Sequence, residues 1–375
     1  MKKPFRSALL SLLLAGAFAP LVTSPARAME IEVTGAVDMG FLYERNSGSS
    51  AASGSTFSLA SDLASDGILA IMGKESLGNG FGLSFNLENG FSADDGVLLG
   101  GGSYLFGREA RVTLETPLAN FTFGRLGTLA SGAGADIFVV NADVTEGGYA
   151  NYIGTTDFWW IRRRTDNVVS VESAEIAGVK LYAQYSFATR GEELNGNVRR
   201  NERYAGVGAT CKRGPLTLVA VVDSVLYAHE GAEAPDDSLA LSFGGNWNVG
   251  PWAFYAGFQV GRNERLDLEA LSGIAPLWTD GVAYVDGWNV HTGLAFEAST
   301  AGTVQLSLHY GDFENSSGAR LDSNKWGAGA MYLHELSKRT TLYTGAGFQQ
   351  FRAETDGLTS RLKSVDVALG LQIEF

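Results

Sequence analysis

The 375-residue sequence contains little cysteine, proline or histidine: one Cys, eight Pro and four His. The lone Cys211 has no partner for a disulfide within the chain, and metal sites built from two or more cysteines are excluded. Beyond residue 28 no stretch reaches about 18 apolar residues, which excludes a bundle of membrane-spanning helices. Glycine is abundant instead, with 48 residues or roughly twice the average share.

Residues 1–28 have the composition of an export signal. The segment begins with basic residues, continues with an apolar stretch over residues 8–22 and ends in Ala26-Arg27-Ala28, an A-x-A cleavage pattern. The apolar stretch is shorter than the roughly 20 residues of a spanning helix, which disfavours the alternative of a membrane anchor. Because the segment holds four of the 28 Lys and Arg and no acid, its removal changes the net charge from −13 to −17. Such a charge argues against nucleic acid as a partner.

The remaining chain alternates between apolar and small or polar residues, with the period of two typical of β-strands. The last segment shows this best, because its odd-numbered residues form one apolar face: Val365, Val367, Leu369, Leu371, Ile373 and Phe375. Comparable rows occur in Leu239, Leu241, Phe243 and Trp247; in Trp252, Phe254, Ala256, Phe258 and Val260; in Val290, Leu294 and Phe296; and in Val304, Leu306, Leu308 and Tyr310.

Turn signals divide this pattern into hairpins. Seven tight turns are predicted near residues 78–80, 117–120, 174–175, 213–215, 250–251, 299–302 and 336–338. They alternate with longer polar loops at residues 46–55, 94–103, 126–157, 191–201, 230–237, 264–280, 315–322 and 354–360. The pattern predicts sixteen strands with short turns at one end and long loops at the other, the asymmetry of an antiparallel transmembrane β-barrel. In lipid such strands must close into a barrel, since no edge can stay unpaired.

Several segments resemble the Gram-negative, β-proteobacterial type of outer-membrane general porin. The resemblance lies in KESLGNGFGLSFNLENGF at 74–91, LFGREARV at 105–112, FTFGR at 121–125, RTDNVV at 164–169, RGPLTL at 213–218 and the terminal Phe375. It implies a water-filled channel, a third long loop folded into the lumen, and Phe375 as an assembly signal. It also implies a homotrimer joined through outer faces, with an apolar contact supplied by Val33, Val37, Phe81, Leu83 and Phe85. At a commonly basic or polar position of the family's second strand this chain has Ile68.

The loop 126–157 is the predicted constriction, because it is the longest connection and mixes glycines with an apolar run at residues 137–140. Its acids are Asp136, Asp143, Glu146 and Asp157. Strand parity predicts basic residues on the opposing lumen wall, namely Lys74, Arg111, Arg162, Arg164 and Lys180. The same parity points Asp166 inward, whereas Arg125 shares the parity of outward Phe121 and Phe123 and is expected at the rim or on a bulge.

These residues predict a passive channel for small hydrophilic solutes and ions, in which acids face bases across the lumen. The negative net charge favours cations. An outer-membrane enzyme is disfavoured because the four histidines are scattered without a supporting motif, and the Gly-rich pieces lack the strand-turn-helix context of a nucleotide loop. Neither a cofactor nor a metal is expected. A substrate-specific channel and a soluble secreted carbohydrate-binding β-protein stay open as alternatives, because a sandwich alternates in the same way.

Overall fold

The computed structural model describes residues 28–48, 53–99, 104–131, 134–145, 164–191, 200–228, 236–267, 282–316, 321–355 and 358–375. The first eight strands are β1 (Glu30–Gly48), β2 (Gly54–Ser61), β3 (Gly67–Gly78), β4 (Phe81–Phe91), β5 (Glu109–Glu115), β6 (Ala119–Gly127), β7 (Arg164–Ser173) and β8 (Val179–Ser186). The others are β9 (Arg203–Arg213), β10 (Leu216–Leu226), β11 (Leu239–Val249), β12 (Trp252–Asp267), β13 (Val282–Ser299), β14 (Gly302–Asn315), β15 (Leu321–Ser337), β16 (Thr340–Thr355) and β17 (Leu358–Glu374). A short helix, α1 (Val139–Ala142), follows β6.

These strands form one closed antiparallel sheet. From β3 onward each strand pairs with the next in chain order, and β1 pairs with β17 from Ala36↔Glu374 to Gly48↔Leu362, which closes the ring. Both β2 and β3 pair with β1, over successive stretches of it, so they are two parts of a single barrel strand. The seventeen segments of the described residues therefore make the predicted 16-strand barrel. No described helix has the length and apolar character needed to cross a membrane.

The outer surface carries the predicted apolar rows. On β17, Val367 and Leu369 are 44% and 49% exposed, whereas the intervening Ala368 is 2% exposed. The same alternation appears on β14, where Leu306 and Leu308 are exposed and Ser307 is buried. An apolar band this extensive is unfavourable in water and fits a lipid environment. The rows of Val, Leu and Phe thus face outward, which contradicts the soluble sandwich, where they would be buried.

Aromatic side chains border this band at two levels. Near the short turns, Trp252 stacks on Phe296 with ring centroids 4.1 Å apart. Toward the other end, Phe258 and Trp288 lie 6.4 Å apart, and further pairs at that level are Trp288 with Tyr310 and Trp326 with Phe348. Trp252 is paired with Phe296 and Val260 with Trp288, so the levels are about 26 Å apart along β12 at roughly 3.3 Å per residue. With the strand tilt, this matches the band height of outer-membrane barrels.

The seven tight turns lie where the sequence predicts them, as at Gly78-Asn79-Gly80, where Asn79 adopts a φ of 52°. The prediction of a long loop at residues 354–360 is wrong. There β16 runs to Thr355, β17 begins at Leu358, and these two residues are paired. The two strands continue here as polar residues, and Thr359 Oγ1 on β17 donates to Glu354 Oε1 on β16 at 3.2 Å. Polar composition was therefore not evidence of a loop at this position. Apart from Ala28, the predicted export segment lies outside the described residues.

Candidate functional site

The chain after β6 turns into the barrel and packs on its inner wall. Gln184 on β8 donates from Nε2 to the Gly127 carbonyl at 2.9 Å. Farther along, Ile137, Phe138 and Val139 form a buried apolar cluster with other residues of this loop and with Val219 and Val221 of β10. Both valines alternate with exposed Leu218 and Val222, which places them on the inner face. The described part of the loop therefore lies within the lumen.

Small wall residues let the loop approach closely on β11 and β13. A Cβ added at Gly244 would lie 2.7 Å from Ala142 Cβ, and one added at Gly293 would lie 2.6 Å from Val144 Cβ, so a side chain at either position would displace the loop. On β14, Gln305 Nε2 donates to the Val144 carbonyl at 2.9 Å. From β8 to β14, the inner wall is thus covered by residues 126–131 and 134–145.

Asp136 holds the fold of the loop itself. Its carboxylate accepts backbone N–H groups of Ser131, Phe138, Val139 and Val140 at 2.8–3.2 Å. These donors belong to the start of α1 and the preceding turn, where backbone N–H groups have no partner within the helix. A carboxylate engaged in this way stabilises the loop and is not directed at the water path as an unpaired acid. The geometry therefore departs from the role predicted for Asp136.

Asp143 is fully buried and anchors the loop to the wall. Its Oδ1 accepts both the backbone N–H and the hydroxyl of Thr145 at 2.9 Å, and lies 3.5 Å from His291 Nε2 on β13. The structure contradicts the lumen-lining role predicted for Asp143, because a side chain with no exposure cannot contact a passing solute. The sequence did not single out His291, although the outward parity of Val290 points it inward. Glu146, Asp157 and Arg162 lie outside the described residues.

The predicted basic residues on β3, β5 and β8 point inward and form ion pairs with acids of the same wall. Lys74 Nζ lies 2.9 Å from Glu115 Oε2, Arg111 Nε lies 2.6 Å from Glu109 Oε2, and Lys180 Nζ lies 2.5 Å from Glu172 Oε1. Glu109 and Arg111 are two residues apart on β5, and Lys74 of β3 reaches Glu115 of β5 across the intervening β4. Lys180 is diagonal to Glu172 on the neighbouring β7. These acids, not the described acids of the loop, are the partners of the wall bases.

A β-bulge changes the parity at the start of β7. Asn167 has a φ of 52°, and the register with β6 shifts between Gly124 and Leu126. Asp166 accordingly pairs with Arg125 at the rim and accepts the Gly191 N–H at 2.9 Å, so its predicted inward position is wrong. The irregularity expected at Arg125 is confirmed. Arg164 shares the parity of Asp166, so the bulge removes the parity argument that placed Arg164 on the lumen wall; it lies within electrostatic range of Glu88 on β4.

One basic residue on this wall was missed. Arg108 precedes β5 and contacts Glu88 at 2.5 Å through Nε, while its Nη1 pairs with Asp66. The parity of β5 would have pointed Arg108 outward with Ala110 and Val112, but the strand begins only at Glu109, so parity does not apply. Arg108 lies in the segment at residues 105–112 that carries the family resemblance.

The C-terminal Phe375 completes the closure of the barrel. Its N–H donates to the Gly35 carbonyl at 3.0 Å, and its carbonyl accepts the Gly35 N–H at 3.1 Å. Thr34 Oγ1 donates to the same carbonyl at 2.7 Å. The ring lies on the outer surface, 46% exposed. These contacts pair the end of the chain with the beginning of the barrel.

A closed 16-strand barrel with a lipid-facing apolar band, a polar inner wall and an in-folded loop is an outer-membrane channel for passive diffusion. The family model described as Gram-negative porin matches residues 11–354, and the chain belongs to this family. It is therefore a multi-pass β-barrel of the Gram-negative outer membrane.

Individual relatives agree with this assignment. The chain is 25% identical over 353 residues to outer membrane porin protein 32 of Delftia acidovorans, covering 92% of each chain. It is also 25% identical over 334 residues to an outer membrane porin of Bordetella pertussis, covering 81% of each. Among solved structures, an anion-selective porin from Comamonas acidovorans has a TM-score of 0.68 at 19% identity, covering 93% of this chain and all of that one. A trimeric form of OmpT from Vibrio cholerae has a TM-score of 0.62 at 12% identity, covering 93% of this chain and 100% of that one.

Proposed function

We propose that this outer-membrane channel is a general diffusion porin with a mild preference for cations. Small hydrophilic solutes and ions cross it without a specific binding step, and the charges of the inner wall bias which ions pass. The observation that carries the proposal is the pairing of the wall bases. Lys74, Arg111 and Lys180 each contact a wall carboxylate, so their positive charge is compensated locally.

The net charge of the protein is a second support for the cation preference. With these bases compensated and a charge of −17 on residues 29–375, the potential in the lumen is negative and concentrates cations. The Comamonas porin of similar fold is named as anion-selective, but at 19% identity only the fold carries over, and the charges of this chain favour the opposite sign.

We further propose the finer features that the family membership supports. Residues 1–28 are removed after export, and residues 126–157 form the constriction loop. Phe375 serves as the assembly signal, and the functional unit is a homotrimer in contact with outer-membrane lipids. The outer faces of β1 and β4 support the trimer, since Val33 is 58% exposed and Phe81, Leu83 and Phe85 alternate with inward Ser84 and Asn86. The protein carries no enzymatic activity, consistent with a family of channels.

A bilayer recording under a KCl gradient tests the selectivity. We expect a reversal potential of the sign given by permeating K⁺, and an anion-selective value would contradict the proposal. Adding sugars, organic anions or short peptides in increasing concentration tests whether the channel lacks a specific binding site. A general porin shows no saturable block, whereas block that saturates with one compound would favour a substrate-specific channel.

A further inference from the structure

The second barrel strand is interrupted between β2 and β3. Residues 62–66, here called the inner segment, leave the sheet after Ser61 and return to it at Gly67. Asp62 adopts a φ of 60°, and its Oδ1 accepts the Gly67 N–H at 2.7 Å, which closes the excursion. Backbone groups that leave a sheet within a membrane barrel need other partners, and only the interior offers them.

Asp38 of β1 supplies these partners from the inner wall. It alternates with the outward-facing Val37 and Met39 and has no solvent exposure. Its carboxylate accepts the Leu63 N–H at 2.9 Å, the Ala64 N–H at 3.3 Å and the hydroxyl of Tyr343 at 2.9 Å. The inner segment is therefore attached to the inside of the barrel.

Leu63 fixes the position of the inner segment by apolar packing. Its side chain is 4% exposed and lies in a buried cluster with Met331, Tyr343 and Ala368, which belong to β15, β16 and β17. Partly buried Leu42 of β1 and Leu333 of β15 complete the contact. Gln372 Nε2 also donates to Ser65 Oγ at 3.1 Å. The inner segment thus covers part of the inner faces of β15, β16, β17 and β1.

The other side of the inner segment is tied to the charged wall. Asp66 pairs with Arg108, which also contacts Glu88 of β4. The inner segment therefore reaches from the apolar cluster of the β15–β1 wall to the beginning of the wall that carries Lys74 and Arg111.

We propose that the inner segment is a second in-folded element, which together with the loop after β6 confines the water path to the wall formed by β3–β8. The loop covers the inner wall of β8–β14, and the inner segment covers part of β15–β1. The wall between them bears the partly exposed ion pairs Lys74–Glu115 and Lys180–Glu172. Leu63 and Asp38 are then positioning residues for the width and place of the channel. The inference rests on the passive channel described above.

Thiol modification tests the position of the path. In a Cys211→Ser background, Thr122→Cys on the inner face of β6 and Ala368→Cys beneath Leu63 each introduce a single inward-facing thiol. Because thiol reactivity follows exposure, a charged methanethiosulfonate added to the open channel should reduce the current of Thr122→Cys on the order of tenfold faster than that of Ala368→Cys. Equal rates in the two variants would overturn the proposal.

Release of the inner segment tests its effect on width. Leu63→Ser should raise single-channel conductance about 1.5-fold, since pore diameter governs flux, and should expose the thiol of Ala368→Cys. Leu369→Ser, on the outer face of the same β17, is the matched control and should leave both unchanged. A folded Leu63→Ser channel, shown by heat-modifiable gel migration, with unaltered conductance and a still protected Ala368→Cys thiol would also overturn the proposal. If the wild-type protein forms no channel in the bilayer, the proposed channel function itself is contradicted.

Discussion

The inner walls of β3–β8 and of β9–β14 differ in chemistry although their outer faces are alike. Outside, both halves carry exposed apolar rows, such as Leu69 in the first and Leu241 in the second. Inside, the first half presents ion pairs that keep contact with solvent: the side chains of Lys74 and Glu115 are 64% and 29% exposed. The second half presents Gly244, Gly293 and other residues that fit against the loop.

The difference shows that alternation determines which side chains face inward, but not what they meet there. An ion pair beside water loses little hydration, whereas the same pair under the loop would carry a desolvation penalty of several kcal/mol per ion. Covered positions therefore favour small or apolar groups and fully hydrogen-bonded polar ones, as with Asp143 and Thr145. The partly exposed ion pairs Lys74–Glu115 and Lys180–Glu172 lie on β3–β8.

Reversing charge on the uncovered wall should have the largest effect on ion selectivity. The double variant Glu115→Lys, Glu172→Lys places lysines beside Lys74 and Lys180, so we expect an anion-selective reversal potential. Coulomb energies at these distances, reduced by screening, predict a change in the permeability ratio on the order of fivefold. The measurement is the reversal potential of single channels in a KCl gradient.

A matched control makes the same charge change outside the lumen. Asp322→Lys, Glu354→Lys alters acids that share the outward parity of Trp326 and Phe348. We expect its reversal potential to stay near the wild-type value. If the control shifts selectivity as strongly as the wall variant, the total charge and not the uncovered wall sets the ion preference.

Removing bases near the beginning of β7 should have a smaller effect of opposite sign. In Arg162→Gln, Arg164→Gln the carboxylate of Glu88 loses a nearby positive charge, since Arg164 acts on it electrostatically. The reversal potential should move about twofold further toward cations, because two charges are removed where the first variant changes four. An unchanged reversal potential would show that neither arginine influences the path.

The sequence predicts the barrel well because its signals are local. Alternating residues such as Val365 and Val367 report their own face, and turns such as Gly250-Pro251 report their own geometry. The contacts of the loop acids are not local in this way. Asp143 meets His291 only through the three-dimensional path of the loop, which parity along a strand cannot reveal.

Irregular backbone marks the other limit of prediction from sequence. The bulge at Asn167 inverts the face of Asp166, and the interruption at residues 62–66 removes Leu63 from the strand pattern. Turn-forming residues at 61–67, with Ser61, Asp62, Ser65, Asp66 and Gly67, carried a signal for the interruption. A β-strand interpretation of the whole stretch obscured it.

The smallest change in selectivity is expected for the loop acid Asp136, and it separates a structural acid from a lumen acid. Asp136→Ala removes the shared acceptor of four backbone N–H groups, of which that of Phe138 also donates to the Leu129 carbonyl, and this loss costs about 1–3 kcal/mol of stability. We expect a lower temperature for the heat-induced shift in gel migration and a reversal potential that barely moves. Glu115→Ala is the matched variant, since it also removes one carboxylate but leaves Lys74 uncompensated beside water. It should move the reversal potential toward anions with little loss of stability. Equal shifts in reversal potential for both variants would mean that Asp136 lines the water path, and the distinction between covered and uncovered walls would then fail at the loop.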